Sequence, residues 1–222
     1  MPRNSESSLL VVVAHPDDEC LGAGGTISVH TQQGFPVDIL CMTGSEERNA
    51  ELEAASSILG ARHVFSNMRD DFDIGASMKD DVVEAILKTA PTIVITHSEQ
   101  DYNQNHVSCS KLVDQAVEWA SHRTIFDNAH RVERVLNMEI NSMISFPNLI
   151  VDITEGYASA RKALQQHESQ IDKADGYYEK LYDYRTRLRG LQGGCKRGEA
   201  FTVKLPLQIG PFYPDNNVET IL

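Results

Sequence analysis

The chain is poor in basic charge, cysteine and long apolar runs. Its 222 residues carry 20 Lys and Arg against 32 Asp and Glu, a formal net charge of −12. Nucleic acids and anionic membrane surfaces are bound mainly through basic side chains, so neither partner is expected. No apolar stretch approaches the ~20 residues of a membrane-spanning helix, and no stable membrane insertion is expected. Leu9 to Ala14 is too short for a signal-peptide core and runs straight into charge. The four cysteines, Cys20, Cys41, Cys109 and Cys195, lie far apart without a Cys-x-x-Cys pair. That excludes a disulfide framework and reads as reduced, mostly buried thiols of a cytoplasmic protein. Repeats, low-complexity tracts and interdomain linkers are also missing, so residues 1–222 are read as one domain.

What is present is an alternation of apolar runs and helical patterns. Residues 9–14 are apolar on both faces, the pattern of a central parallel strand covered on two sides. A helix over 22–33 ends at Gly34 before Pro36, and a strand over 37–43 leads to a helix over 46–59 closed by Gly60. A short strand at 63–65, an acidic loop at 67–77, a helix over 78–89 and a strand over 92–96 follow, then a helix over 106–120. Beyond these the pattern predicts strands at 131–140 and 149–154, Thr154 as a helix cap, helices over 157–170 and 174–191, a strand at 199–205 and an irregular tail. The alternation predicts an α/β fold with a doubly wound, mostly parallel sheet and helices on both faces.

Two strand-to-helix junctions carry the unusual chemistry. The first reads Ala14-His15-Pro16-Asp17-Asp18-Glu19, and the second runs from His97 through Asp101, Asn103 and Asn105 to His106. In a parallel sheet both lie at the carboxyl edge of the strands, where ligands bind, so clusters ninety residues apart can converge. A histidine and carboxylates at a half-buried place need a partner, and a divalent cation is the simplest. Taken alone, the first junction reads equally as a polar turn in which Asp18 caps a helix.

The ordered set of motifs resembles the zinc-dependent de-N-acetylases of the PIG-L/LmbE-like superfamily. Besides the first junction, it comprises Arg48-Asn49-Ala50-Glu51 with Leu59-Gly60, Pro91 to His97 with Asp101 and His106, Val151 to Thr154, Lys162-Ala163-Leu164, His167 to Gln170 and Glu199-Ala200-Phe201. The resemblance implies the Rossmann-like LmbE fold and an amide hydrolase that removes an N-acetyl or other acyl group from an amino sugar or sugar-bearing small molecule. It implies His15, Asp18 and His106 as metal ligands and Asp17 as general base. It is the family pattern, not the spacing, that assigns the two aspartates. The metal implied is Zn2+, with Fe2+ equally suited to such ligands. The expected partner is an N-acetylated sugar or glycoconjugate, and a homo-oligomer is left open.

One departure from the family stands out. Many members carry a histidine where this chain has Asn103, and often an aspartate where it has Asn105. An amide donates to an oxyanion but delivers no proton, so the acid role falls to Asp17, to His97 or to Asp101. The departure also motivates two alternatives: a metal-containing sugar-binding or scaffold protein with weak or no hydrolysis, and an amidase acting on a non-sugar amide. Arg48 is the candidate substrate contact, against an ion pair with Glu47 or Glu51. Glu19 is read as stabilising the following turn, and His167 with Gln170 as a packing pair or a support for a ligand. His30 reads as structural, His63, His122 and His130 as surface, and Cys20 and Cys109 as small core residues.

Overall fold

The computed structural model describes residues 7–67, 69, 74–172 and 175–204. The expected tail, most of the frayed N-terminus and part of the acidic loop lie outside them. Leu9–Val13 (β1) is buried at every position and is the hub of a seven-stranded sheet. It pairs in parallel with β2 (Val37–Cys41) on one side and β4 (Ile93–His97) on the other. β3 (His63–Ser66) lies outside β2, and β5 (Arg134–Met138) outside β4, both parallel. β7 (Gly198–Val203) runs antiparallel to β5, and β6 (Leu149–Asp152) closes the sheet against β7. The chain winds outward from β1 to β3 and then returns to β4 beyond β1. The switch between β1 and β4 opens a crevice at their carboxyl ends.

Alternate residues of β1 feed two cores. Leu9, Val11 and Val13 pack with α1 (Asp18–Gln32), α2 (Glu46–Leu59), α5 (Tyr157–Leu164) and α7 (Tyr177–Gly193). Leu10, Val12 and Ala14 pack with α3 (Lys79–Thr89) and α4 (Gln104–Ala120). Both faces are covered, which is why the strand reads as an unbroken apolar run. No helix among the described residues is long and apolar enough to cross a membrane.

Three departures from the expected boundaries bear on the site. α1 starts at Asp18 rather than 22, so Asp18 and Glu19 occupy its first turn, where the helix dipole favours acids. The helix expected over 157–170 is two: α5 stops at Leu164, and α6 (Glu168–Ile171) begins after His167, whose ring turns inward to Glu19. Gly156, not Thr154, takes the cap position of α5.

The antiparallel end of the molecule clamps α1. Glu199 of β7 accepts the Gly25 and Thr26 N–H groups at 2.8 Å each, the Thr26 hydroxyl at 2.7 Å and the Tyr182 hydroxyl at 2.9 Å. Arg185 of α7 donates to the Leu21 carbonyl on the same helix and to the Ile140 carbonyl. Contact is so close that a Cβ on Gly25 would stand 2.5 Å from Ile153 Cδ1 and 2.6 Å from its Cβ. Alanine in a helix interior ordinarily gains about 1 kcal/mol over glycine. Gly25→Ala is expected instead to destabilise by about 1–3 kcal/mol through overpacking. Gly75→Ala, with open space around it, should stay within about 0.5 kcal/mol. Urea unfolding of the two variants checks the contrast.

Candidate metal centre and its cavity

The end of β1 and the start of α4 bring His15, Asp18 and His106 together. His15 Nδ1 lies 3.2 Å from Asp18 Oδ2, His106 Nε2 lies 3.4 Å from the same oxygen, and the two nitrogens are 3.3 Å apart. Tetrahedral bonds of ~2.0–2.1 Å put neighbouring ligand atoms about 3.3–3.4 Å apart. The three atoms therefore already form one face of such a site, and the donor set fits a divalent cation. The His15 N–H also donates to Asp18 Oδ2 at 2.9 Å, closing the loop on its own carboxylate.

Each imidazole is held from behind. Asp101 Oδ2 lies 3.2 Å from His106 Nδ1, an ion-pair distance without good hydrogen-bond alignment. Its carboxylate also accepts the Asn103 N–H at 2.9 Å and the Asn141 N–H at 3.0 Å. Against burial, which raises it, the His106 and Asn103 contacts hold the Asp101 carboxyl well below the usual range. Burial lowers the His106 imidazole, but Asp18 and Asp101 outweigh it and lift the group to about 10. His106 Nε2 is thus set to carry positive charge, as proton or metal, against Asp18. The Asn105 amide sits 3.2 Å from His15 Nε2 and helps orient that ring.

His97 takes no place in the cavity. Its Nε2 accepts the Ala14 N–H at 2.8 Å, and its ring stacks on His106 at 4.1 Å. Burial and then the neighbouring His106 charge hold it down at about 3. Sequence reasoning placed His97 and Asp101 among the acid candidates. The structure sets both behind His106, because His97 spends its accepting nitrogen on backbone and Asp101 is saturated by N–H donors.

Asp17 faces the cavity in a strained conformation, with φ 122° in the region that favours glycine. Such backbone costs of order 1–3 kcal/mol and persists only where the surroundings impose it. Here the buried Glu19 accepts the Asp17 N–H at 3.0 Å. Glu19 is clasped in turn by His167 at 2.7 Å and by the Cys20 thiol at 3.0 Å. Glu19 therefore braces Asp17, two residues before it in the motif, as well as the following turn. Arg48 lies 3.2 Å from Asp17 Oδ2 and donates to the Pro16 carbonyl, while Glu51 is occupied by Ser169. Burial, and then the charge of Asp18, push the Asp17 carboxyl up to about 8.

The cavity of about 320 Å³ is lined by His15, Asp17, Asp18, Arg48, Asn103 and His106, joined by Leu21, Ile140, Asn141, Gln170 and Tyr178. Of that second group only Gln170 had a motif to mark it; Asn141 and Tyr178 arrive from the irregular C-terminal half. Asn103 caps α4, its Oδ1 accepting the Asn105 N–H at 2.9 Å, which fixes the amide so that Nδ2 remains as the donor. The remaining histidines lie elsewhere, as expected: His63 on Asp38, His122 on Glu118, His130 on the Pro91 carbonyl and His30 near the Ser7 carbonyl. Cys109 is a fully buried core residue.

Several known proteins are similar to this chain. Residues 10–117, which hold both junctions, match the family model described as PIG-L: GlcNAc-PI de-N-acetylase. The chain is 28% identical over 192 residues to a probable N-acetyl-alpha-D-glucosaminyl L-malate deacetylase 2 of Bacillus cereus, covering 75% of this chain and 85% of that protein. It is 30% identical over 139 residues to 4-oxalmesaconate hydratase of Pseudomonas putida, covering 50% and 52% respectively. The crystal structure of the conserved protein TT1542 from Thermus thermophilus superposes with a TM-score of 0.82 at 28% identity, covering 92% of this chain and 98% of that one. With both His/carboxylate junctions inside the matched span and the same fold over nearly its whole length, the chain carries a PIG-L family domain over residues 10–117.

Proposed function

We propose that this protein is a metal-dependent hydrolase that removes an N-acetyl group from an amino sugar or a small molecule bearing one. The observation that carries the reading is the Asp17 carboxylate on the wall of the same cavity as the three-atom face of His15, Asp18 and His106. Those three residues would hold Zn2+, or Fe2+, which when bound supplies a Lewis acid for the amide carbonyl and lowers the pKa of water. Asp17 takes the proton of the attacking water, and its place beside the reacting atoms lets it hand that proton to the departing amine. Asn103 Nδ2 donates to the developing oxyanion. Arg48 steadies Asp17 and meets a sugar oxygen, while Asn141, Gln170 and Tyr178 give the cavity its polar contacts. Four unpaired cysteines, three of them buried, suit a cytoplasmic enzyme.

The likeness to a hydratase favours a second reading, in which the same acid-base pair adds water across a carbon–carbon double bond. A panel of N-acetylated amino sugars and glycosides, assayed for acetate with added Zn2+ or Fe2+, decides. Acetate release that disappears, together with stoichiometric metal, in His15→Ala and in His106→Ala is the expected result. Saturable sugar binding with no acetate leaves a binding protein, and full metal content in the double variant removes the proposed ligand set.

The adjacent aspartates should give opposite signatures. Asp17→Asn is expected to keep the metal and lose about two to four orders of magnitude in turnover, the usual contribution of a positioned proton-transfer group. Asp18→Asn is expected to lose metal, since a neutral amide replaces an anionic ligand. Metal analysis beside kcat measurement reads both, and the reverse pattern exchanges the two roles.

The clasp behind Asp17 has its own expectation. Glu19→Gln keeps an acceptor for the Asp17 N–H but removes the charge that His167 meets, whereas Glu19→Ala removes both. We expect kcat to fall further in Glu19→Ala than in Glu19→Gln, with KM nearly unchanged and metal retained. Equal kcat in both variants would show that the brace does not act through Asp17.

A further inference from the structure

The cavity is graded in polarity from floor to mouth. A side chain that lines a cavity and yet exposes almost nothing lies at its closed end. Asp17, Asp18 and His106 are of this kind, and so are Leu21 and Ile140, 1% and 2% exposed. The half-buried lining nearer the mouth carries polar groups on Arg48, Asn103, Asn141, Gln170 and Tyr178. Both aliphatic side chains among the described lining residues are therefore at the deep end, beside the ligand face and Asp17.

The two are also held in place. Leu21 follows Asp18 by one turn of α1, so both side chains share one face of that helix. Ile140 arrives from beyond the end of β5, and the buried Arg185 donates to the carbonyls of Leu21 and Ile140 alike. Glu139, paired with Arg189 at 2.7 Å, accepts the Ile144 N–H at 2.8 Å and closes the loop that carries Ile140. No space remains behind this wall: a Cβ on Gly22 would stand 2.7 Å from Ile140 Cδ1. Close-packed side chains tied at their backbones have little room to swing aside.

Such a floor constrains how an amide enters. The acyl carbon bears an alkyl group on one side and, on the other, the nitrogen that carries the rest of the molecule. A hydroxyl-rich body pressed on Leu21 and Ile140 would leave its polar groups unpaired, which is costly. An alkyl group there loses only water. The body is then left to the polar mouth.

We propose that Leu21 and Ile140 form an acyl wall that accepts an acetyl group and discriminates against longer acyl chains. The assignment rests on the hydrolase reading above and specifies its substrate: a short N-acyl compound that enters acyl end first, with its polar body at the mouth.

N-acetyl, N-propionyl and N-butyryl derivatives of the amino sugar that releases most acetate test it. For the metal-loaded full chain, kcat/KM is expected to fall by about tenfold or more per added methylene, the usual discrimination of a fitted apolar pocket. Ile140→Ala opens the wall and should shift the acetyl-to-butyryl ratio toward butyryl by about tenfold or more. Ile140→Val removes one methyl and should move the ratio the same way if the alanine variant folds poorly. Gln170→Ala, at the mouth, should lower all three alike. Calorimetric titration of Asp17→Asn with the same compounds reads the order of affinities apart from turnover, and acetyl should again bind tightest. Acetate release with a ratio that neither Ile140 variant moves, or with butyryl preferred by the unaltered chain, leaves the hydrolase standing and overturns the wall. Release from no amino sugar overturns both.

Discussion

Everything near the cavity is arranged around one carboxylate oxygen. Asp18 Oδ2 has imidazole nitrogens of His15, His106 and His97 within 3.5 Å and is almost wholly removed from water. A buried anion is tolerable only if cations or donors surround it. Despite burial, which raises it, the His106 charge, with His97 beside it and the contacts to His106 and His15, holds its carboxyl well below the ordinary range. The neighbouring Asp17 moves the other way, because it shares the burial and meets Asp18 as a like charge. Two adjacent carboxylates of one motif are thereby given different protonation behaviour, the condition for one to hold a charge and the other to exchange a proton.

The scaffold explains why these groups can be held so closely. His15 and Asp18 follow β1, and His97 to His106 follow β4, the two strands that flank the switch point. Rigid strand ends therefore position both junctions, and α4 starts at Gln104 so that His106 falls in its first turn. The strained Asp17 is the exception: it is the N-cap residue of α1, and its backbone lies outside the helical region. Its conformation is imposed by Glu19, whose clasp reaches to His167, and α6 continues the strap to Glu51 of α2 through Ser169. The second half of the chain thus completes a site that the first half begins.

This division is also why the sequence was legible in places and not in others. The parallel strands announced themselves as apolar runs, and the two junctions as polar residues where such runs stop, because both signals are local. Motifs of known order pointed to Arg48, His167 and Gln170 but not to what they touch. Arg48 read equally as a surface ion pair, and only the packing of α2 against the first junction gives it Asp17 and the Pro16 carbonyl. Asn141 and Tyr178 carry no local mark. They reach the cavity because Arg185 ties Ile140 to α7 and α1 at once, a contact spanning 45 residues one way and 164 the other. The start of α1 was misplaced by four residues, since Pro16 and Asp17 looked like a longer turn.

The asparagine at position 103 narrows the proton route rather than closing it. Its Oδ1 is committed to the α4 cap and its Nδ2 can only donate, so under the hydrolase proposal it would stabilise charge without moving a proton. His97 gives its accepting nitrogen to Ala14, and Asp101 faces N–H donors and the far side of His106. Neither lines the cavity, and the Arg48 guanidinium is spent on Asp17 and the Pro16 carbonyl. Under the hydrolase proposal, Asp17 is the cavity-lining carboxyl that takes a proton from water and releases it to an amine. On the proposed reading its burial, its like-charged neighbour and its braced backbone serve one end. They keep a carboxyl whose two protonation states lie close in energy pointed at the reacting atoms.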